Sequence, residues 1–288
     1  MKRYLIVLFQ FLCTAFLSAQ QPTPHAIIEL WPNGAPTSNG QTGDMIDTDG
    51  VLRNITKPTL TVFLPSHPNG MCVMACPGGA YHCVCTGTEG FPMAQWYLNQ
   101  GIAYAILHYR LPNGHREVPL DDAQRGLQIL RGHAKEWRLN KIGIQGCSAG
   151  GHLAAMASTH YTSSSSRPDF QILFYPVITL EPSFTHMGTR ENLIGKNASE
   201  EVAVKYSNEK QVTSQTPPAF IMHSSDDDLV PVKNSIAYYQ ALVDKGVSAT
   251  LHVYPNGKHG WAFHDWFAYK REWTGELERW LKWIQPRL

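Results

Sequence analysis

The sequence predicts an α/β fold, with a mostly parallel central sheet and helices on both faces. Two observations carry this. Short apolar, β-branched runs alternate with segments of helical periodicity from about residue 59 onward, and this alternation is the signature of a sheet covered on both sides. The 288 residues are 43% hydrophobic and 16% charged, enough apolar material for a full core around one large sheet.

The expected strands are Thr59 to Leu64, Met71 to Cys76, Ile102 to Tyr109, Lys141 to Gln145, Phe170 to Tyr175, Ala219 to His223 and Ala249 to Tyr254. Helical spacing links Ala123, Leu127, Leu130, Ala134 and Trp137, and again Trp273, Leu277, Trp280, Leu281 and Ile284. The stretch from Ile178 to Pro217 is polar and weakly periodic, and reads as an insertion over the sheet edge. Residues 21–288 are thus expected to form a single domain. Ser163 to Ser166 reads as a solvated turn.

The first 20 residues carry Lys2 and Arg3, an apolar run to Leu17, and the small residues Ser18 and Ala19. This is the pattern of an export signal cleaved near Ala19 or Gln20. Gln10 interrupts the run, which falls short of the roughly 20 apolar residues of a spanning helix. The mature chain is therefore expected to be secreted or periplasmic, with no membrane association. A formal net charge of +1 gives no footprint for nucleic acid. Cleavage leaves Cys72, Cys76, Cys83, Cys85 and Cys147, an odd number whose pairing spacing does not reveal. Cys72 and Cys76 share a strand face at a separation too great for a disulfide. His82, Cys83 and Cys85 lack a second ligand cluster at zinc spacing, so no metal is expected.

Gly146-Cys147-Ser148-Ala149-Gly150 matches G-x-S-x-G between the strand KIGIQ and the small-residue helix AGGHLAAMAS. That context is a nucleophile elbow, in which a sharp turn exposes the Ser148 hydroxyl at a helix N-terminus and glycines on either side avoid clashes. Serine needs a base, and the base needs a group to fix its tautomer. The loop SSDDDLVP follows the strand AFIMH, and NGKHGW follows ATLHVYP. Loops at the carboxyl ends of strands are where open α/β sheets place their chemistry. His259 is accordingly the expected base, whereas His152, one turn into the helix, is expected to support packing. The acid is one of the consecutive Asp226, Asp227 and Asp228. Upstream, Cys76-Pro77-Gly78-Gly79-Ala80-Tyr81 follows a buried strand, where glycines let backbone N–H groups converge on an oxyanion.

Together with Tyr109-Arg110-Leu111-Pro112, these segments resemble the hormone-sensitive-lipase-like branch of the α/β-hydrolase fold, and more narrowly bacterial acetyl xylan esterase and feruloyl esterase-like proteins. The resemblance implies a triad of Ser148, Asp227 and His259, because that family's H-x-x-x-D-x-x-V-P pattern runs here from His223 through Asp227 to Val230 and Pro231. It also implies oxyanion donors at Gly79, Ala80 and Ala149, with Ala80 standing where the family has a further glycine, and a structural pair between Arg110 and Asp122. The implied chemistry is acyl transfer from a carboxylic ester through an acyl-enzyme without metal or cofactor. The implied partner is an acylated polysaccharide or oligosaccharide. A feruloyl esterase and a serine peptidase related to prolyl peptidases are the alternatives. Trp31, Tyr81, Trp261, Phe263 and Trp266 cluster around the site loops, and Tyr81 and Trp261 are the candidates for stacking on substrate.

Overall fold

The computed structural model describes residues 21–285, and the expected export signal lies outside them. The strands are β1 (Ala26–Glu29), β2 (Ile46–Thr48), β3 (Val51–Arg53), β4 (Thr59–Phe63), β5 (Met71–Cys76), β6 (Val84–Cys85), β7 (Ala103–His108), β8 (Lys141–Cys147), β9 (Gln171–Phe174), β10 (Ala219–Ser224) and β11 (Ala249–Tyr254). The helices are α1 (Thr86–Glu89), α2 (Ala94–Asn99), α3 (Val118–Gly132), α4 (Ser148–Thr159), α5 (Met187–Ile194), α6 (Glu200–Tyr206), α7 (Lys233–Asp244) and α8 (Lys270–Ile284).

Eight strands form one sheet in the order β1-β4-β7-β5-β8-β9-β10-β11. The β1/β4 and β4/β7 pairs are antiparallel, and every pair from β7 to β11 is parallel. All seven strands expected from the sequence lie in this sheet. β1 was not legible because its four residues alternate only between half-buried and exposed. The small sheet β2-β3-β6 was missed for a similar reason, since its member β2 is exposed along its whole length and offers no apolar contrast.

β5 shows why helices must cover both faces. All six of its residues are buried, and side chains alternate across a strand. Cys72, Met74 and Cys76 pack with residues of α3, α4 and α7, while Met71, Val73 and Ala75 pack with residues of α2 and α8. Cys72 and Cys76 thus share a face, as their spacing requires, and all five described cysteines are free thiols. In α8, Trp273, Leu277, Leu281 and Ile284 form the buried stripe. α3 ends at Gly132, and Trp137 follows in a turn whose N–H reaches the His133 carbonyl at 2.9 Å.

Residues 178–217 carry α5 and α6 and connect the interior strands β9 and β10. The segment is tied to α4 and α7: the Asn208 side chain donates to the His152 carbonyl at 3.1 Å, and the Asn234 side chain to the Phe184 carbonyl at 2.8 Å.

The Arg110–Asp122 pair ties the segment of Trp31 and Thr37 to the chain just after β7. Arg110 Nη2 lies 2.7 Å from Asp122 Oδ1, and both side chains are buried. The Arg110 backbone N–H and the Trp31 indole also donate to this carboxylate, at 2.8 and 2.7 Å, and Arg110 Nη1 donates to the Thr37 carbonyl at 2.6 Å. Removing one partner of a buried pair strands the other charge. Asp122→Ala is expected to destabilise the protein by about 3–5 kcal/mol, read as a lower midpoint in urea unfolding. An unchanged midpoint would mean that water replaces the carboxylate without cost.

Candidate active site

The chain leaves β8 at Cys147 and enters α4 at Ser148 with no intervening loop. Ser148 has φ of 53°, a left-handed conformation costly for a residue with a Cβ. The turn is tolerated because its flanks are bare: a Cβ on Gly146 would lie 2.1 Å from the Gly150 carbonyl oxygen, and one on Gly150 would lie 2.0 Å from that of Cys76. The Ser148 carbonyl is held in turn by the Val177 N–H at 3.0 Å.

Two further strands deliver their loops to this hydroxyl. His259, after β11, places Nε2 at 2.9 Å from Ser148 Oγ. Its Nδ1 lies 2.7 Å from Asp227 Oδ2, after β10. The three consecutive aspartates separate cleanly. Asp227 is buried, and its Oδ1 accepts from the backbone N–H groups of Leu229 and Val230 at 3.0 and 2.9 Å. Asp226 instead accepts from the Lys258 N–H at 2.8 Å and so braces the loop that carries the histidine. Asp228 is exposed, with its carboxylate 3.5 Å from Lys258 Nζ. Burial pushes the Asp227 carboxyl pKa up, but hydrogen bonds from His223 and His259, the charge of His259 and the Val230 amide outweigh it and hold that pKa well below the usual carboxylate range.

The loop after β5 curls over the same hydroxyl. Gly79 has φ of 125°, and a Cβ there would lie 2.3 Å from the Cys83 carbonyl oxygen, so the close approach demands glycine. Ala80 and Tyr81 follow at φ of 54° and 56°. Among the described residues the Gly79 and Ala80 N–H groups meet no protein acceptor. Both residues line, with Ser148 and His259, a cavity of about 380 Å³. The Ala149 amide lies in the first turn of α4, where helix geometry provides no intrahelical acceptor.

The BD-FAE family model matches residues 60–242, most of the sheet and the nucleophile elbow. The chain belongs to the BD-FAE family. It is 40% identical over 232 residues to an acetylxylan esterase of Xylanibacter ruminicola, covering 78% of this chain and 48% of that protein. It is 34% identical over 205 residues to endo-1,4-beta-xylanase B of Butyrivibrio fibrisolvens, covering 66% of this chain and 32% of that one. The chain therefore spans about half the length of the first relative and about a third of the second. Among solved structures, an acetyl ester-xyloside bifunctional hydrolase from Caldicellulosiruptor lactoaceticus superposes with a TM-score of 0.77 at 33% identity, covering 93% of this chain and 98% of that one.

Within this BD-FAE chain, three buried residues support the site: Glu89 and Tyr175, to which no sequence motif assigns a role, and His223, which enters only as the start of a motif. Glu89 accepts the Gly78 N–H at 2.6 Å and the Tyr175 hydroxyl at 2.9 Å, so one carboxyl ties the loop after β5 to the residue that follows β9. Desolvation raises its pKa, against the hydrogen bonds from Gly78 and Tyr175 and the charge of His259. The Tyr175 ring lies 4.6 Å from that of His259, and its hydroxyl accepts the Ala262 N–H at 3.1 Å. His223 Nε2 lies 2.9 Å from the Val230 carbonyl and 3.2 Å from Asp227 Oδ2. A carbonyl only accepts, so this nitrogen carries the proton, and Nδ1 accepts from Ser235. His152 joins Tyr81 Oη at 3.0 Å to the Tyr206 carbonyl at 2.8 Å, and burial lowers its pKa to about 4.

The aromatic expectation needs correction. Trp261 has no exposed surface, because its ring stacks on Phe267 at 4.1 Å and packs edge-on against Phe174 and Tyr175. It is core and cannot touch a substrate. Tyr81 is 2% exposed, its hydroxyl is bound to His152, and it contributes to a neighbouring cleft instead of the cavity at Ser148. Trp31 is engaged by Asp122. The cavity is walled instead by His82, Cys83, Cys85, His186, Leu229 and His264.

The depressed Asp227 pKa fixes the sign of a pH effect. A carboxyl with a lowered folded pKa contributes stability above its unfolded value, near pH 3.9, and loses it as pH falls through the folded value. The stability advantage of the wild type over Asp227→Asn is therefore expected to be greatest above pH 5 and to narrow in acid. Chemical unfolding from pH 2.5 to 7 tests this, and a constant difference would exclude an ionised Asp227 as its source.

Proposed function

We propose that this chain is a carboxylic-ester hydrolase that forms an acyl-enzyme on Ser148 and removes acetyl groups from a plant polysaccharide. The observation that carries the reading is the unbroken line from Ser148 Oγ to His259 Nε2 at 2.9 Å and from His259 Nδ1 to Asp227 Oδ2 at 2.7 Å. Along that line His259 takes the serine proton as Oγ attacks the ester carbonyl. Asp227 holds the imidazole with Nδ1–H toward itself and stabilises the imidazolium. The amides of Gly79, Ala80 and Ala149 supply hydrogen bonds to the tetrahedral oxyanion, each typically worth about 2.7–4 kcal/mol. His259 then gives its proton to the leaving alcohol and, in the second half-reaction, activates water to release the acid.

The acetyl ester of a xylan is supported by the names of the similar proteins, an acetylxylan esterase and an acetyl ester-xyloside hydrolase. The export signal expected at the N-terminus would bring the enzyme to such polymers outside the cell.

Ser148→Ala is expected to abolish turnover of an activated acetate ester with unchanged thermal unfolding, and substantial residual turnover by the folded variant would remove Ser148 from its role. Asp227→Asn is expected to lower kcat by up to about 10⁴-fold through the wrong imidazole tautomer. Asp226→Asn keeps an oxygen for the Lys258 amide and is expected to cost little; the reverse ranking would move the acid to Asp226.

A substrate panel separates the acyl groups. On acetylated xylan, a feruloylated oligosaccharide, a long-chain acyl ester and a peptide amide, kcat/KM is expected to rank acetate first, feruloyl second and amide last. Faster cleavage of the peptide than of either polysaccharide ester would overturn the carbohydrate reading and leave the serine nucleophile standing.

A further inference from the structure

We infer that a second cleft, next to the catalytic cavity, holds the glycan chain that carries the ester. The inference rests on the ester-hydrolase reading for its substrate class and on the cleft's own geometry for its location. The cleft has a volume of about 510 Å³ and is separate from the Ser148 cavity, but His82 lines both. Its base includes the buried Tyr81 and Leu111. Asn192 marks the border, because its Nδ2 donates to the carbonyl of Ala80 in the oxyanion loop at 2.8 Å.

The polar groups around this cleft share one arrangement. Asn54 Nδ2 donates to the Thr42 and Asp44 carbonyls at 2.8 and 2.9 Å, and Asn113 Nδ2 donates to the Asn39 carbonyl at 2.8 Å. Asn192 does the same toward Ala80. Backbone carbonyls only accept, so the nitrogen of each amide must face them. The three Oδ1 atoms are left without a protein donor among the described residues. Gln41 is the converse: its Oε1 accepts from Asn39 at 3.0 Å, and its Nε2 remains free to donate. Arg53 and Glu191 add one charge of each sign.

A cleft with three fixed acceptors, an amide donor and a guanidinium suits a ligand that both donates and accepts through many hydroxyl groups. Neutral sugar residues have that chemistry. A nucleic acid does not, since it would need a run of cations. An esterified sugar seated at Ser148 must also lead its neighbours away across a bordering surface, and this cleft adjoins the oxyanion loop. Asn54 and Asn113 have φ of 48° and 44°, a left-handed backbone that asparagine tolerates, and Asn113 is exposed, so its amide oxygen is open to solvent and to a ligand alike.

The test uses Ser148→Ala protein, which cannot turn over, titrated with unesterified xylotetraose by calorimetry. Binding is expected, and it should weaken about two- to tenfold in Asn113→Gly, as for loss of one hydrogen bond. Glycine accepts the left-handed backbone at this position, so the change removes the side chain without strain. Arg53→Gln is the second probe and should weaken binding by a similar factor. In proteins retaining Ser148, both changes should lower kcat/KM for acetylated xylotetraose relative to a small aryl acetate. Absence of xylotetraose binding, or binding that neither substitution changes, would overturn the cleft assignment. Failure of the parent enzyme on the aryl acetate would instead overturn the esterase reading, while the titration still decides the cleft.

Discussion

Where β8 turns into α4, Gly146 and Gly150 lie so close to neighbouring backbone that a methyl group on either would penetrate a carbonyl oxygen, at 2.1 and 2.0 Å. This crowding holds Ser148 at a φ of 53° and turns its hydroxyl out of the sheet. Everything else in the site is arranged around that fixed point. The oxyanion loop leaves β5, the strand beside β8, and the acid and base leave β10 and β11. Parallel strands carry all these loops to one end of the sheet, so a single strained turn suffices to set the origin for three separate segments.

The acidic residues show how position decides role among chemically equal groups. Asp226, Asp227 and Asp228 are adjacent in the chain, yet one braces a backbone amide, one faces the imidazole and one meets solvent. Asp227 is selected because only its carboxylate receives donors on both oxygens, from Leu229 and Val230 on one and from His259 on the other. Glu89 plays a different part. It lines the cavity at Ser148 and binds the Gly78 amide, while the next two amides of that loop meet no protein acceptor among the described residues. Tyr175 bonds to the same carboxyl and lies against the His259 ring, which links the loop to the base through two side chains.

The segment between β9 and β10 is more than a connection. Arg190, nearly buried, donates to the carbonyls of Leu180, Gly195, Lys196 and Ala198, and so gives an otherwise weakly periodic stretch a fixed shape. That shape places His186 on the wall of the catalytic cavity and Glu191 and Asn192 on the adjoining cleft. His152 closes the connection from the other side, joining the elbow helix to Tyr206 in α6.

The sequence by itself determined the α/β class, seven of the eight strands of the large sheet and the identity of Ser148 and His259 as the residues to bring together. These follow from local rules: strand and helix periodicities differ, an elbow needs its glycines, and loops after parallel strands converge. The resemblance narrowed the acid to Asp227, because nothing in three consecutive aspartates distinguishes them locally. Only the tertiary structure separated Trp261, which is packed on Phe267 and Phe174, from an aromatic residue that could meet a sugar. Only it revealed Glu89, whose partners lie 11 and 86 residues away. The reason is physical. Burial and hydrogen-bond partners at long sequence separation are properties of the packed chain, and no window of neighbouring residues contains them.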